Sequence, residues 1–259
     1  MRIWPSRILF FLLLIACLSA PACAGDRIGV VLMHGKQGSP AQLEGLATSL
    51  VAAGYLVERP EMCWSRGRIY DRPYLDCLAD ADAAVAKLKT DGATAIVIAG
   101  MSLGGNAALA YAARRQGLKG VIALAPAPAI EFVSRRPNIA KSLSDAEAMV
   151  AAGRGDQSAG FADINIGRSF EVETTASIYL SFFGSESPGI MPDNAARLKA
   201  PVLIVSGTYD ETQRSVPYVF ARAPADRLNR HVSVDSDHLG TPAAAGEIVL
   251  EWLQTLAER

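Results

Sequence analysis

The chain has 259 residues, enough for one large domain or two small ones, and a single α/β core of roughly 200–250 residues requires no split. Half of the residues are hydrophobic and 20% are charged, which excludes a disordered chain. The formal net charge of −1 provides no basic field to gather nucleic acid or anionic lipid, so the expected partner is a small or neutral molecule.

The first residues read as a leader and not as core. Arg2 and Arg7 form a basic segment, residues 8–18 are an almost unbroken apolar run, and Ala22-Cys23-Ala24 offers small residues to a signal peptidase. The expected division is a signal peptide over 1–24 and a mature domain over 25–259, exported to a periplasm or secreted. The run is short of the about 20 apolar residues that span a bilayer, so no membrane span is expected in the mature chain; an N-terminal anchor is the alternative. Leu14-Ile15-Ala16-Cys17 also looks like a bacterial lipobox, which would place a lipid anchor on Cys17. Cleavage before Gly25 leaves Cys63 and Cys77, an even pair in an oxidising compartment, expected to form one disulfide; two buried free thiols are the alternative. No cysteine or histidine cluster has metal spacing, and no metal site is expected.

From residue 28 onward, short apolar runs alternate with helical patterns. Strands are expected over 28–33, 55–58, 95–99, 121–125, 202–205 and 232–234. Helices are expected over 41–53, 73–90, 103–115 and 240–257, with Gly54 and Gly92 as stops and Leu75, Leu78, Val85 and Leu88 as the apolar face of the second. Continuous β-branched runs between helices indicate a parallel sheet covered on both faces, a three-layer α/β arrangement of about six strands. Right-handed crossovers then leave the strand C-termini on one edge, the binding rim. Residues 131–197 break the rhythm with no strong buried strand. They hold a helix expected over 142–152, opened by Ser144 with Glu147 three residues on, and an apolar patch over 178–183. Such an insertion serves as a lid or substrate wall, or as a purely structural cap.

Ser102 stands in Gly100-Met101-Ser102-Leu103-Gly104-Gly105, between a buried strand and a helix. A sharp strand-to-helix turn needs glycine at Gly100 and Gly104 and raises the serine above the sheet edge, with a helix N-terminus beneath it to favour developing negative charge. A serine hydroxyl needs a base. Of three histidines, His238 lies in a loop on the same rim and is the candidate; His34 is the alternative, or else organises its loop through backbone hydrogen bonds, and His231 begins the last strand. The base needs an orienting carboxylate, for which Asp210 follows the strand 202–205; Glu211 is the runner-up, while Asp235 and Asp237 read as solvated. The oxyanion donors expected are the backbone N–H groups of Leu103 and Lys36, with Gln37 next after Lys36, whose side chain reads as solvated. The loop 62–68, with Trp64, Arg66 and Arg68, would contact an anionic or aromatic substrate group, or is a plain surface loop with a half-buried tryptophan.

His34-Gly35, Gly100-Met101-Ser102-Leu103-Gly104-Gly105, Gly207-Thr208-Tyr209-Asp210 and Asp237-His238 together resemble the α/β-hydrolase family, over residue 28 to the C-terminus apart from 131–197. The likeness is to its small members of the dienelactone hydrolase and carboxylesterase type. Two departures stand out: the opening antiparallel strands of larger members are missing, and Ser102 stands where dienelactone hydrolases have cysteine. The resemblance implies hydrolysis of a small acyl substrate through a covalent acyl-enzyme on Ser102, with no cofactor. Peptidase or C–C hydrolase chemistry on the same triad, or a non-catalytic binding protein on this fold, are the other readings.

Overall fold

The computed structural model describes residues 26–259 of the chain. The leader with Cys17 and Cys23 lies outside the described residues. Strands and helices follow one another as β1 (Ile28–Met33), α1 (Glu44–Ala52), β2 (Leu56–Glu58), α2 (Tyr74–Thr90), β3 (Ala95–Met101), α3 (Leu103–Ala112) and β4 (Leu118–Leu124). Then come α4 (Ile130–Val133), α5 (Pro137–Ala151), β5 (Ser158–Asn165), β6 (Arg168–Thr175), α6 (Ala176–Phe183) and α7 (Met191–Ala195). The chain closes with β7 (Val202–Gly207), α8 (Val216–Phe220), β8 (Arg230–Val234), α9 (Thr241–Ala244) and α10 (Gly246–Ala257).

Six strands form one sheet in the order β2-β1-β3-β4-β7-β8, and every neighbouring pair is parallel. Successive side chains of a strand point to opposite faces, so each central strand feeds two cores. Val31, Met33, Ile98, Ala123 and Ile204 pack with α2, α3 and the insertion on one face. Val30, Leu32, Val97, Ala99, Ile122 and Val205 pack with α1 and α10 on the other. Burial on both faces explains why these strands are continuously apolar. Among the described residues no helix is long and apolar enough to cross a membrane.

Several elements depart from the sequence expectation. Leu75 is 43% exposed, and the buried stripe of α2 runs through Tyr74, Cys77, Leu78, Ala81, Ala84 and Leu88. The stripe begins at Tyr74 because its ring packs on Phe182 of the insertion. Helix α5 starts five residues before the expected 142, at Pro137, since the fixed φ of proline suits a first helical position. Ser142 is therefore inside the helix, where its Oγ accepts the Ala162 N–H at 2.8 Å. The C-terminal helix is broken in two, with Gly246, a weak helix former, at the start of α10.

The insertion also contains an antiparallel hairpin, β5–β6, that the sequence reading lacks. Its two-residue turn is Ile166-Gly167, both at positive φ (48° and 73°), the backbone a tight hairpin of this twist requires. The buried positions are Phe161, Asp163, Ile164, Val172 and Thr174; a carboxylate stands among them and 163 and 164 are buried in succession, so the period-2 signal is faint. Cys63 and Cys77 are joined by a disulfide with Cα atoms 5.4 Å apart. It ties the loop after β2 to the first turn of α2. Met62 and Trp64, beside it, are fully buried, so Trp64 is a core residue and not a half-exposed one.

Candidate active site

Parallel strands deliver the candidate residues to one rim. His34 to Gly38 follow β1, Ser102 follows β3, Asp210 follows β7 and His238 follows β8. Register places Met33 beside Gly100, Met101 beside Leu124, and Gly207 beside Val234, so these strand ends lie level.

Ser102 adopts φ 55°, ψ −120°, a strained conformation for a residue with a side chain. Its surroundings hold it there. The Ser102 N–H donates to Leu124 O at 2.9 Å, and its carbonyl accepts the N–H groups of Asn106 and Ala127. A Cβ on Gly100 would stand 2.3 Å from the Gly104 carbonyl, and one on Gly104 would stand 2.2 Å from the Met33 carbonyl oxygen. Neither position accepts any side chain, because the obstacle in both cases is backbone.

The Ser102 Oγ lies 2.9 Å from His238 Nε2, and His238 Nδ1 lies 2.7 Å from Asp210 Oδ2. An ionised carboxylate only accepts, so Nδ1 carries the proton, Nε2 is left as an acceptor, and the Ser102 hydroxyl donates to it. Ser102 and Asp210 are buried, and the His238 side chain is 14% exposed. Hydrogen bonds across the rim join the two loops, Thr208 N–H to Val234 O and Tyr209 N–H to Ser236 O, and the Thr241 hydroxyl donates to Asp237 O within the His238 loop. A Cβ on Gly207 would meet Ser236 O at 2.4 Å, which is how closely the loops approach. Glu211 is exposed, and Asp237 Oδ1 accepts the Gly240 N–H at 2.7 Å. Asp210 is the carboxylate that reaches the imidazole.

His34 is fully buried and serves its own loop. Its Nε2 accepts the Met62 N–H at 3.1 Å, so Nδ1 is protonated and donates to Gly35 O at 2.8 Å. Burial lowers its pKa below the ordinary 6.5. His231 faces Ser206 Oγ at 3.2 Å from the strand itself, and burial lowers its pKa as well.

The loop after β1 comes against Ser102, since a Cβ on Gly35 would stand 3.2 Å from Ser102 Cβ. The Gln37 N–H donates to Trp64 O at 2.9 Å, which removes Gln37 as an oxyanion donor. Among the described residues no protein acceptor is bonded to the N–H of Lys36 or of Leu103, the first residue of α3. The Lys36 side chain is not solvated as the sequence suggested. Its Nζ is buried against Asp163 Oδ1 at 2.6 Å, a partner 127 residues away in the hairpin. Arg68 is engaged by Asp71, Asp80 and the Glu61 carbonyl, so the loop 62–68 offers only Arg66 to an anion. No sequence signal marks Tyr74 and Asn106, whereas Phe182 and Phe183 fall in the apolar patch over 178–183. With Leu103, Pro128, Ile130 and Lys36 these four line a tightly packed, mainly apolar recess that leaves no room for a water molecule. Among the described residues no group of three or more His, Cys, Asp or Glu side chains could hold a metal ion.

This arrangement sets a serine hydroxyl against an imidazole that can accept its proton, the chemistry of an activated nucleophile. Comparisons with known proteins agree with the fold. The structure resembles a metagenome-derived lipolytic enzyme of the LipS and LipT pair (21% identity, 90% of this chain and 94% of that one, TM-score 0.62). It resembles a monoacylglycerol lipase from Paleococcus ferrophilus (19% identity, 90% and 96%, TM-score 0.64). It also resembles a dienelactone hydrolase from Anabaena variabilis (17% identity, 90% and 88%, TM-score 0.55). No curated protein sequence matches. Residues 30–251 match the family described as the alpha/beta hydrolase family, and with this sheet order and strand-end site the chain belongs to it.

Proposed function

We propose that the protein is an exported serine hydrolase that cleaves carboxylic esters through an acyl-enzyme on Ser102. The observation that carries this reading is the continuous hydrogen-bonded line Ser102 Oγ, His238 and Asp210 on a strained strand–helix turn. In the first half-reaction Ser102 Oγ attacks the acyl carbon, and its proton passes to His238 Nε2. The N–H groups of Lys36 and Leu103 receive the developing oxyanion, and His238 returns the proton to the alcohol as the C–O bond breaks. In the second half-reaction water repeats the attack, giving up its proton to His238, and Ser102 leaves with that proton. Asp210 holds the imidazole tautomer and offsets its transient positive charge.

The leader composition and the Cys63–Cys77 disulfide support export. Hydrolysis of p-nitrophenyl esters tests the reading. Acetyl and propionyl esters should be turned over, and Ser102→Ala should abolish turnover with the fold retained. A folded wild-type protein inert to all of these esters contradicts it.

A further inference from the structure

Lys36 carries a charge into the protein interior at a cost that a methionine would avoid. Its side chain is 5% exposed and that of Asp163 is 0% exposed. The ammonium donates to Asp163 Oδ1 at 2.6 Å and to Ile164 O at 3.0 Å, and stands 4.9 Å from the centre of the Phe183 ring. Asp163 is itself fully engaged: Oδ1 also accepts the Ile164 N–H, and Oδ2 accepts the Tyr70 hydroxyl at 2.7 Å. Burial and the neighbouring carboxylate raise the Tyr70 pKa well above 10, so that hydroxyl stays a donor.

The next hairpin residue grips the other end of Lys36. Asn165 Nδ2 donates to the Lys36 carbonyl at 3.3 Å and to Gln37 Oε1 at 3.2 Å. On the N-terminal side, the Gly35 carbonyl accepts from Gly38 N–H at 3.0 Å and from His34 Nδ1 at 2.8 Å. The Gly35–Lys36 peptide is therefore held at its oxygen, at the following carbonyl and at the side-chain tip. Its N–H is the one group of this turn that no protein acceptor takes, among the described residues.

We propose that Asp163 is a positioning residue for the oxyanion site: by anchoring Lys36 Nζ from the insertion hairpin, it orients the Gly35–Lys36 peptide so that its N–H meets the oxyanion formed on Ser102. The hairpin thereby acts on catalysis through the loop after β1, by way of its bonds to Lys36 and Gln37. This rests on the ester-hydrolase reading of Ser102. A buried ion pair is a poor source of net stability but a good device for fixing one geometry, which is the use assigned to it here.

The test is steady-state kinetics on a short p-nitrophenyl ester and its thionoester, in wild type, Asp163→Asn, Lys36→Met and the double variant. Loss of a whole oxyanion donor costs about 10²–10³ in kcat, so a misaimed one should cost about 10–100-fold. KM should stay within about twofold, because the contact forms only in the transition state. Sulfur accepts hydrogen bonds poorly, so the ester-to-thionoester rate ratio should fall in both single variants, which a general loosening of the fold would not produce. Asp163→Asn added to Lys36→Met should cost nothing further, since Asp163 acts through Lys36. If Asp163→Asn fails to fold, Lys36→Met and Tyr70→Phe carry the test, Tyr70→Phe with a smaller loss in the same direction. Folded variants with wild-type kcat, an unchanged ester-to-thionoester ratio, or additive losses overturn the proposal. An active wild type with such variants refutes the role of Asp163 alone; a folded wild type inert to esters refutes the reading of Ser102 on which it rests.

Discussion

His34 Nε2 accepts the Met62 backbone N–H at 3.1 Å, which binds the loop after β1 to the disulfide loop only while the imidazole is neutral. Burial depresses the His34 pKa below 6.5, and His231 shifts in the same direction for the same reason. Between the depressed folded values and 6.5 the unfolded chain binds more protons than the folded one, so stability is full above 6.5 and is lost as pH falls below it. The thermal midpoint should therefore drop on mild acidification, and the His34 ring should titrate below 6.5 by NMR. A His34 ring that titrates at or above 6.5 contradicts this.

The carboxylate assignment separates two adjacent acids. Asp210→Asn keeps the shape but removes the acceptor that fixes the His238 tautomer, so kcat should fall by about three to four orders of magnitude. Glu211→Gln, at an exposed position, should remain within about twofold of wild type, as surface changes do. Equal losses in the two variants, measured with the fold checked by circular dichroism, would reverse the assignment.

Glycine is required at position 104 for a backbone reason. The 2.2 Å approach to the Met33 carbonyl leaves no room for a methyl group, so Gly104→Ala must displace the Ser102 turn. Misplacement of a reacting group by about 1 Å costs about a hundredfold, and that loss or more is expected in ester hydrolysis. Gly45→Ala in α1, where a Cβ meets nothing within 4 Å, should leave activity intact and gain about 0.5–1 kcal/mol. Activity in Gly104→Ala near the wild-type value would count against the strand–helix turn as described.

The Cys63–Cys77 bond closes a loop of sequence separation 14. Replacing both cysteines by serine should cost about 3 kcal/mol on the chain-entropy estimate, seen as a lower denaturant midpoint. A free-thiol assay on the unreduced mature protein should find none. Two free thiols, or no change in midpoint, would remove the disulfide from the account.

What the sequence revealed and what it hid follow one physical division. Strands β1, β3, β4 and β7 announce themselves because burial on both faces demands unbroken apolar runs, and the residues after them inherit a common rim. That Ser102, Asp210 and His238 meet on that rim was therefore legible, although 136 residues separate the first from the last. The hairpin was not legible, since Asp163 places a charge at a position where alternation calls for an apolar side chain. Lys36 misled for the same reason: a lysine in a glycine-rich loop reads as solvated until its partner, on a distant strand, is seen beside it. Trp64 was underestimated because its burial depends on the His34 carbonyl accepting its indole N–H at 2.9 Å, a contact across loops that no periodicity encodes.

The claim that Ser102 is an activated nucleophile is tested most directly by reaction of the native protein with a fluorophosphonate, followed by peptide mapping. A single adduct is expected on the peptide containing Ser102, absent from Ser102→Ala and strongly slowed in His238→Ala. Folded wild-type protein that takes no label, or label carried by another residue, would contradict it.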